Sequence, residues 1–230
     1  MRQTRNILML GEVAKRLQPL LEQLVFVGGA TVDLLLTDQA AQTARPTEDV
    51  DTIIDVATKH AYDQLSMELI DLGWRNDTSS GIICRWQQDD FVLDVMPTKE
   101  DILTFSNPWY ASAIQNSLTY QLEPSLKIQA NSTPYFLASK MVAWQQRGEK
   151  QYLTSKDLED ILLVVDGRPE VIDDVHSAAK PVRDFIAQQF RTLLEDATFN
   201  ELILGFVPSN QPQRAVMVRE RMILLGGLSE

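Results

Sequence analysis

Three aspartates carry the clearest chemistry in the sequence. In ARPTEDVDTIIDV, Asp49 and Asp51 flank Val50 within a β-branched run of strand length. Successive side chains of a strand point to opposite faces, so both carboxylates project from one face while Val50 turns into the core. Two like charges so close repel and raise each other's pKa unless a cation sits between them. A hard divalent ion such as Mg²⁺ suits that position, because it takes oxygen ligands and shares them with substrate phosphates. An isolated D-x-D would equally suit a solvated edge strand. A third carboxylate favours a site: VLDVMP sets Asp94 between apolar neighbours, the pattern of a strand whose one polar residue faces a pocket. Two strands with three carboxylates can hold two ions, which clamp the attacking and leaving oxygens of a phosphoryl or nucleotidyl transfer roughly 3.5–4 Å apart.

The elements that would position these groups follow from the hydrophobic pattern. Apolar residues at helical spacing predict a helix over residues 8–24, interrupted near Pro19. LVFVGG then reads as a short buried strand running into a glycine turn, with ATVDLLLTD as the helix that follows. Such a turn offers backbone N–H groups and a helix start to a phosphate, although glycine also serves simply to let the chain turn or pack closely. Strands are predicted at DVDTIIDV, GIICRWQQ, FVLDVMP, TYQLE and LKIQA, with a helix over residues 58–73 ending at Gly73. From Thr133 onward the pattern is helical throughout: TPYFLASKMVAWQQRG has a capping Thr with Pro at the first helical position, and SKDLEDILLVVDG has a capping Ser and a terminal Gly. The fold class is therefore mixed α/β (α+β), with a sheet-bearing lobe over residues 1–130, an all-helical lobe over 131–230 and a crevice between them.

The 230 residues, 44% of them hydrophobic, are enough for a core without metal staple or disulfide, and the single cysteine, Cys84, has no partner for an internal bridge. No stretch approaches the roughly 20 apolar residues that span a bilayer, and the first 25 lack a signal-peptide core, so a soluble cytoplasmic protein is expected with no membrane partner. The net charge of −11 opposes non-specific attraction to polyanions. The few basic groupings, Met1–Arg5, Arg45, Arg147/Lys150/Lys156 and Arg214/Arg219/Arg221, read as ordinary solvated charge. His60 and His176 lack ligand spacing and read as structural or surface residues. Cys84 reads as an inert buried thiol. Trp86, Trp109, Trp144 and Tyr152 read as core or pocket wall. Asp55 shares the parity of the D-x-D pair but lies at the far end of its strand.

Gly-Gly at a helix start, then R-x-T-x-D-x-D, then a lone Asp in a later strand, resembles the nucleotidyltransferase superfamily that includes DNA polymerase β. The finer pattern, GGATVDLLL with RPTEDVD, followed by KMVAWQQR and SKDLEDI, resembles the AbiEii/MenT-type nucleotidyltransferase toxins of bacterial type IV toxin-antitoxin systems. The resemblance runs from about Val25 to Asp160. It implies transfer of a nucleoside monophosphate from a nucleoside triphosphate to an acceptor hydroxyl, with tRNA as acceptor, a cognate antitoxin as partner, and Mg²⁺ at a two-ion site, Mn²⁺ being an alternative. By the same resemblance Asp49, Asp51 and Asp94 are metal carboxylates, Gly28 and Gly29 hold phosphate, and Arg45 is the basic residue ahead of the pair. Lys140, Arg147, Lys156, Asp157 and Asp160 match the helical motifs, Lys140 and Asp157 as catalytic groups and the others towards the nucleotide. Where the superfamily often has a hydroxyl after its glycines this chain has Ala30, so Thr31 is the candidate stand-in.

Read without the family, Lys140 and Arg147 lie two turns apart on one helix face and fit either an anionic substrate or stems lying over apolar surface. The first turn of SKDLEDI fits a plain capped helix start as well. Three other functions remain consistent with the same carboxylates: an aminoglycoside-type small-molecule transferase, a protein-modifying transferase, and a catalytically silent binding module.

Overall fold

Thr4 opens the first helix by accepting from the Ile7 N–H at 3.3 Å, and α1 (Arg5–Arg16) then buries Ile7, Leu10, Val13 and Ala14 along one stripe. The helix is shorter than its apolar period predicts. It stops before Pro19, whose fixed φ and missing N–H favour the 3₁₀ turn Gln18–Leu20 in its place. The computed structural model describes residues 2–104, 106–147, 152–207 and 210–227, and of Leu153 and Leu204 the backbone alone; Met1 and Lys150, members of the expected basic groupings, lie outside the described residues. The chain divides into two compact units, residues 1–34 with 44–132 and residues 35–43 with 133–230.

In the first unit, β1 (Leu24–Val27), β2 (Asp49–Ile54), β3 (Arg75–Asn76), β4 (Arg85–Gln88), β5 (Phe91–Pro97), β6 (Leu118–Glu123) and β7 (Leu126–Ala130) form one seven-stranded sheet in the order β3-β4-β5-β2-β1-β7-β6. The pairs β2·β5 and β1·β7 are parallel; the others are antiparallel. Mixed pairing places β2 and β5, the two aspartate strands, side by side in the middle of the sheet, although a helix separates them in sequence. That helix, α3 (Lys59–Asp71), starts at a Thr58 cap and ends before Gly73, whose φ of +90° breaks it as expected. Its Tyr62 hydroxyl, buried, donates to the Val95 carbonyl at 2.8 Å and so ties α3 to β5 one residue past Asp94. Leu10, Phe26, Val50, Leu65, Leu93 and Val95 belong to the core between helices and sheet. The predicted strand at GIICRWQQ is reduced to β4, because Gly81 at φ +74° and an Asp77-centred set of hydrogen bonds to Ser79 and Ser80 make the preceding segment a turn. Short helices α4 (Glu100–Leu103) and α5 (Tyr110–Gln115) fill the connection to β6.

The predicted helix after the glycines is a 3₁₀ turn, Gly29–Thr31, and one four-residue helix, α2 (Val32–Leu35). It ends there because the N–H groups of Thr37 and Asp38 both donate, at 3.0 Å, to the carbonyl of Gly167 instead of continuing the helix. Gly167 allows that approach: an added Cβ would lie 2.7 Å from Leu36 Cδ2 and 3.1 Å from Ala41 Cβ.

The second unit comprises that segment and α6 (Thr133–Gln146), α7 (Lys156–Gly167), α8 (Val171–Ser177), α9 (Lys180–Glu195), α10 (Ala197–Phe206) and α11 (Pro212–Leu225). Phe136, Met141, Ile161, Val164, Ile186, Phe190, Val218 and Met222 are each completely buried. Ser155 caps α7 through the Leu158 N–H, as its sequence predicts. At the other end of α7 the expectation of solvated charge fails: Arg214 is only 8% exposed and pairs with Asp166 and Asp38, each at 2.8 Å. Arg221 donates to the carbonyls of Val165 and Asp166 at 2.7 Å. Both cations satisfy the unpaired carbonyl end of a buried helix, a need that local charge patterning does not reveal. Arg219 is exposed, as expected.

Candidate functional site

Strand register builds the candidate site. Asp51 lies directly opposite Asp94 across the parallel β2·β5 pair, and Arg85 lies directly opposite Asp94 across the antiparallel β4·β5 pair. Asp49, two residues from Asp51, shares its face, so four charged side chains of three adjacent strands emerge on one side of the sheet. Their partners are definite. Arg85 Nε donates to Asp94 Oδ1 and Nη2 to Asp94 Oδ2, both at 2.8 Å, and the same Nη2 donates to Asp49 Oδ2 at 2.8 Å. The side chain of Asp94 is 9% exposed, that of Arg85 20% and that of Asp49 37%. The hydrogen bonding to Asp94, reinforced by the charges of Asp94, Asp49 and Asp51, outweighs desolvation and pushes the guanidinium pKa up. Underneath, Thr52 Oγ1 donates to the Asp94 carbonyl at 3.1 Å and locks β2 to β5 at the site.

The glycine turn has a specific steric cause. Gly28 takes φ +75° and ψ −166°, a region reserved in practice for glycine. A Cβ there would lie 1.9 Å from Asp51 Oδ2 and 2.7 Å from its Cγ, so the absence of a side chain at 28 lets the Asp51 carboxylate lie against the backbone of the turn. Gly29 begins the 3₁₀ turn and its φ is not positive. Thr31 is fully buried and donates to the Gly28 carbonyl at 2.8 Å, closing the turn on itself. Asn131, 1% exposed, places Oδ1 3.4 Å from Thr31 Oγ1, while its Nδ2 has no hydrogen-bond partner among the described residues. Arg45 is partly buried, and its carbonyl accepts from Asn6 at 3.0 Å.

The helical unit gathers a second charged cluster. Lys140 Nζ lies 3.1 Å from Asp157 Oδ1 and 2.7 Å from Asp160 Oδ2, and Arg147 Nη1 lies 2.8 Å from Asp157 Oδ2. Lys140 therefore engages two carboxylates; its side chain is 12% exposed, and those of Asp157 and Asp160 are 4% and 2% exposed. Arg147 shares Asp157 but is 71% exposed. Lys156 is exposed. The two histidines are exposed, Trp86 and Trp144 are buried, and Trp109 and Tyr152 are partly buried. Burial, aided by the charges of Asp94 and Asp51, pushes the Cys84 thiol up to about 12, which keeps it protonated and unreactive at neutral pH.

Arg85 is the site residue that the sequence reading passed over. Its signal was present in the hairpin: Gln88 and Phe91 pair across the two-residue turn Asp89–Asp90, so counting back three pairs brings Arg85 opposite Asp94. Its presence bears directly on a metal. The donor set is chemically suited to a hard divalent ion, being three carboxylates on one face. Its disposition does not fit one: both Asp94 oxygens and one of Asp49 point at the guanidinium, and among the described residues no three acidic, imidazole or thiol groups converge on a common point.

No protein-family model and no curated protein matches the chain. Among solved structures, an antigenic nucleotidyltransferase-like protein from Paracoccidioides brasiliensis superposes with a TM-score of 0.53 at 18% identity, over 86% of this chain and 93% of that one. The fold is nucleotidyltransferase-like. Among the described residues no helix is long and apolar enough to cross a membrane.

Proposed function

We propose that the protein is a nucleotidyltransferase, in which an acceptor hydroxyl attacks the α-phosphorus of a nucleoside triphosphate and pyrophosphate leaves. The observation that carries this reading is the gathering of Asp49, Asp51 and Asp94 on one face of a nucleotidyltransferase-like sheet by the β2·β5 register. In it Gly28, Gly29, Thr31 and Arg45 serve the phosphate tail, and the helical motifs Lys140, Arg147, Lys156, Asp157 and Asp160 serve the nucleotide. Lys140 would offset charge on the leaving phosphates. Mg²⁺, with Mn²⁺ as substitute, belongs to this proposal at Asp49, Asp51 and Asp94. Asp94 would serve as general base towards the acceptor hydroxyl. The closed guanidinium bridge bears on both roles, because both oxygens of the Asp94 carboxylate already accept from Arg85. The narrower proposal, on the resemblance to AbiEii/MenT toxins, is transfer to tRNA under the control of a cognate antitoxin.

The same Arg85 bridge favours one second reading, a binding module of this fold whose carboxylates are permanently neutralised. Incubation with each α-labelled nucleoside triphosphate and a cell extract separates the two. Transfer of label to a macromolecule that is lost in Asp51→Asn, with melting temperature kept or slightly raised, supports the enzyme, because an amide is a poor ligand of nearly equal size and one repelling charge is gone. No transfer under any nucleotide, or equal transfer by the variant, supports the silent module or removes the carboxylate reading.

A further inference from the structure

We propose that the polar cleft at the β3·β4 edge of the sheet binds a neutral, hydroxyl-rich ligand of the sugar class, and that this ligand is the acceptor. The second half rests on the nucleotidyltransferase reading; the first does not. The cleft measures about 590 Å³ and is lined by residues 73, 75–79 and 87–89. Strand register sets it beside the carboxylates. Gln87 lies two residues from Arg85 on β4 and so shares its face, and Arg75 lies directly opposite Gln87 across β3·β4. Val92 continues that row onto β5 and Asp49 onto β2. Arg75, Gln87, Val92 and Asp49 therefore form one row across four adjacent strands, next to the row of Arg85, Asp94 and Asp51. At the usual strand spacing of about 4.8 Å, the backbone of Gln87 stands roughly 10 Å and that of Arg75 roughly 14 Å from Asp49, a span longer than one sugar ring.

The hydrogen-bonding groups of the cleft are held in place and partly open. Gln87 Nε2 donates to Asp77 Oδ2 at 2.9 Å and Asn76 Nδ2 donates to the Arg85 carbonyl at 3.1 Å, which fixes both amides, while their side-chain oxygens accept from no described residue. Gln88 Nε2 donates to the Leu72 carbonyl at 3.0 Å, and its Oε1 has no hydrogen-bond partner among the described residues, an unmet acceptor in the cleft wall. Arg75 is exposed, and its guanidinium pairs with no described residue. Fixed amide oxygens beside a guanidinium suit hydroxyls, which donate and accept through one atom. Other ligands fit less well. Among the described residues no aromatic side chain lines the cleft, so a nucleobase finds nothing to stack on. Its two carboxylates are engaged, Asp77 by Ser79, Ser80 and Gln87 and Asp89 by Arg16, so neither calls for a cation.

Binding tests this independently of turnover. ¹H–¹⁵N spectra of the isotope-labelled protein would be followed while glucose, maltotriose, raffinose or adenosine is added. At least one of the sugars should shift the resonances of residues 75–77, 87 and 88, with a Kd on the order of millimolar. Gln87→Leu and Arg75→Met should each bind the same sugar about tenfold more weakly. Should either variant fail to fold, the shifts in the parent decide alone. Cleft shifts from none of the sugars, cleft shifts from adenosine only, or sugar binding unchanged in both variants overturns the proposal. The acceptor role is read in the transfer assay with labelled nucleotide and cell extract. Gln87→Leu should label less acceptor at low extract and approach the parent at high extract, as a raised KM requires. Equal labelling at every extract level overturns that role. Failure of the nucleotidyltransferase reading shows separately, as absence of transfer by the parent with the sugar shifts still present, which removes the acceptor role and leaves the sugar site.

Discussion

The sheet unit and the helical unit each hold a cluster of aspartates with basic partners, and the two clusters differ in how deeply they are buried. In the helical unit Lys140 and Arg147 face Asp157 and Asp160, so the formal charges cancel, and three of the four side chains are at most 12% exposed. In the sheet unit Arg85 pairs with Asp49 and Asp94, and the side chain of Asp49 is 37% exposed. A buried and neutral cluster resists losing a member, since the partner left behind is an uncompensated charge in a poorly solvated place. A partly exposed cluster is less costly to open, because water solvates whatever charge is left behind. The helical cluster is accordingly the lock, and the sheet cluster the more open of the two.

Lys140→Ala should break that contrast most visibly. It removes the buried cation that Asp157 and Asp160 share and leaves two carboxylates beside each other, so a loss of about 3–5 kcal/mol is expected, read as a large drop in urea midpoint with the denaturant slope unchanged. Combining Lys140→Met with Asp160→Asn should recover part of it, because one of the two like charges is then gone. A loss below about 1 kcal/mol would mean that the helical cluster is as open as the sheet cluster. The structure also changes how turnover of this variant is to be read: a rate loss counts towards phosphate stabilisation only where the variant is shown to be folded under the assay conditions.

Gly28→Ala tests the sheet cluster by shape instead of charge. The added methyl meets the Asp51 carboxylate, and the backbone at φ +75° and ψ −166° disfavours any side chain. A loss of about 2–3 kcal/mol is expected from overpacking and backbone strain together. In an Asp51→Ala background the same substitution should cost less, though not nothing, because the Asp51 Cβ itself lies 2.9 Å from the added atom. An equal cost in both backgrounds would assign the glycine to backbone conformation alone and separate it from the aspartate. Thermal melts of the four proteins decide it.

What could be read from sequence follows from the range over which each feature is determined. The common face of Asp49 and Asp51 is a property of three consecutive residues in a strand, and the Ser155 cap and the Gly73 stop are properties of a single helix end, so all were legible. Asp94 was legible as a lone polar residue in an apolar strand. Its exact opposition to Asp51 was not, because parallel register between strands joined through a helix is set by packing over the whole sheet. Arg85 stood between: the Asp89–Asp90 hairpin fixes its place opposite Asp94, but only once β4 and β5 are known to pair. The need for Gly28 to admit the Asp51 carboxylate, and for Arg214 and Arg221 to close the end of α7, arise from contacts between distant segments, on which local pattern is silent.

Arg147 gives the smallest and most discriminating test, because it shares a carboxylate with Lys140 and differs from it in exposure. Its Nη1 lies 2.8 Å from Asp157 Oδ2, close to the 3.1 Å between Lys140 and the other oxygen, so distance alone would rank the two pairs together. Exposure separates them: Arg147 is 71% exposed and Lys140 12%. Water screens the arginine and replaces its hydrogen bond when it is removed, while Lys140 stays beside Asp157. Arg147→Ala should therefore cost at most about 1 kcal/mol, and that cost should shrink in high salt, whereas the Lys140→Ala cost should hardly move. Denaturant melts of both variants at low and high salt measure this. A cost for Arg147→Ala matching that of Lys140→Ala would mean that Asp157 depends on both cations, and the helical lock would then extend to the surface instead of ending at Lys140.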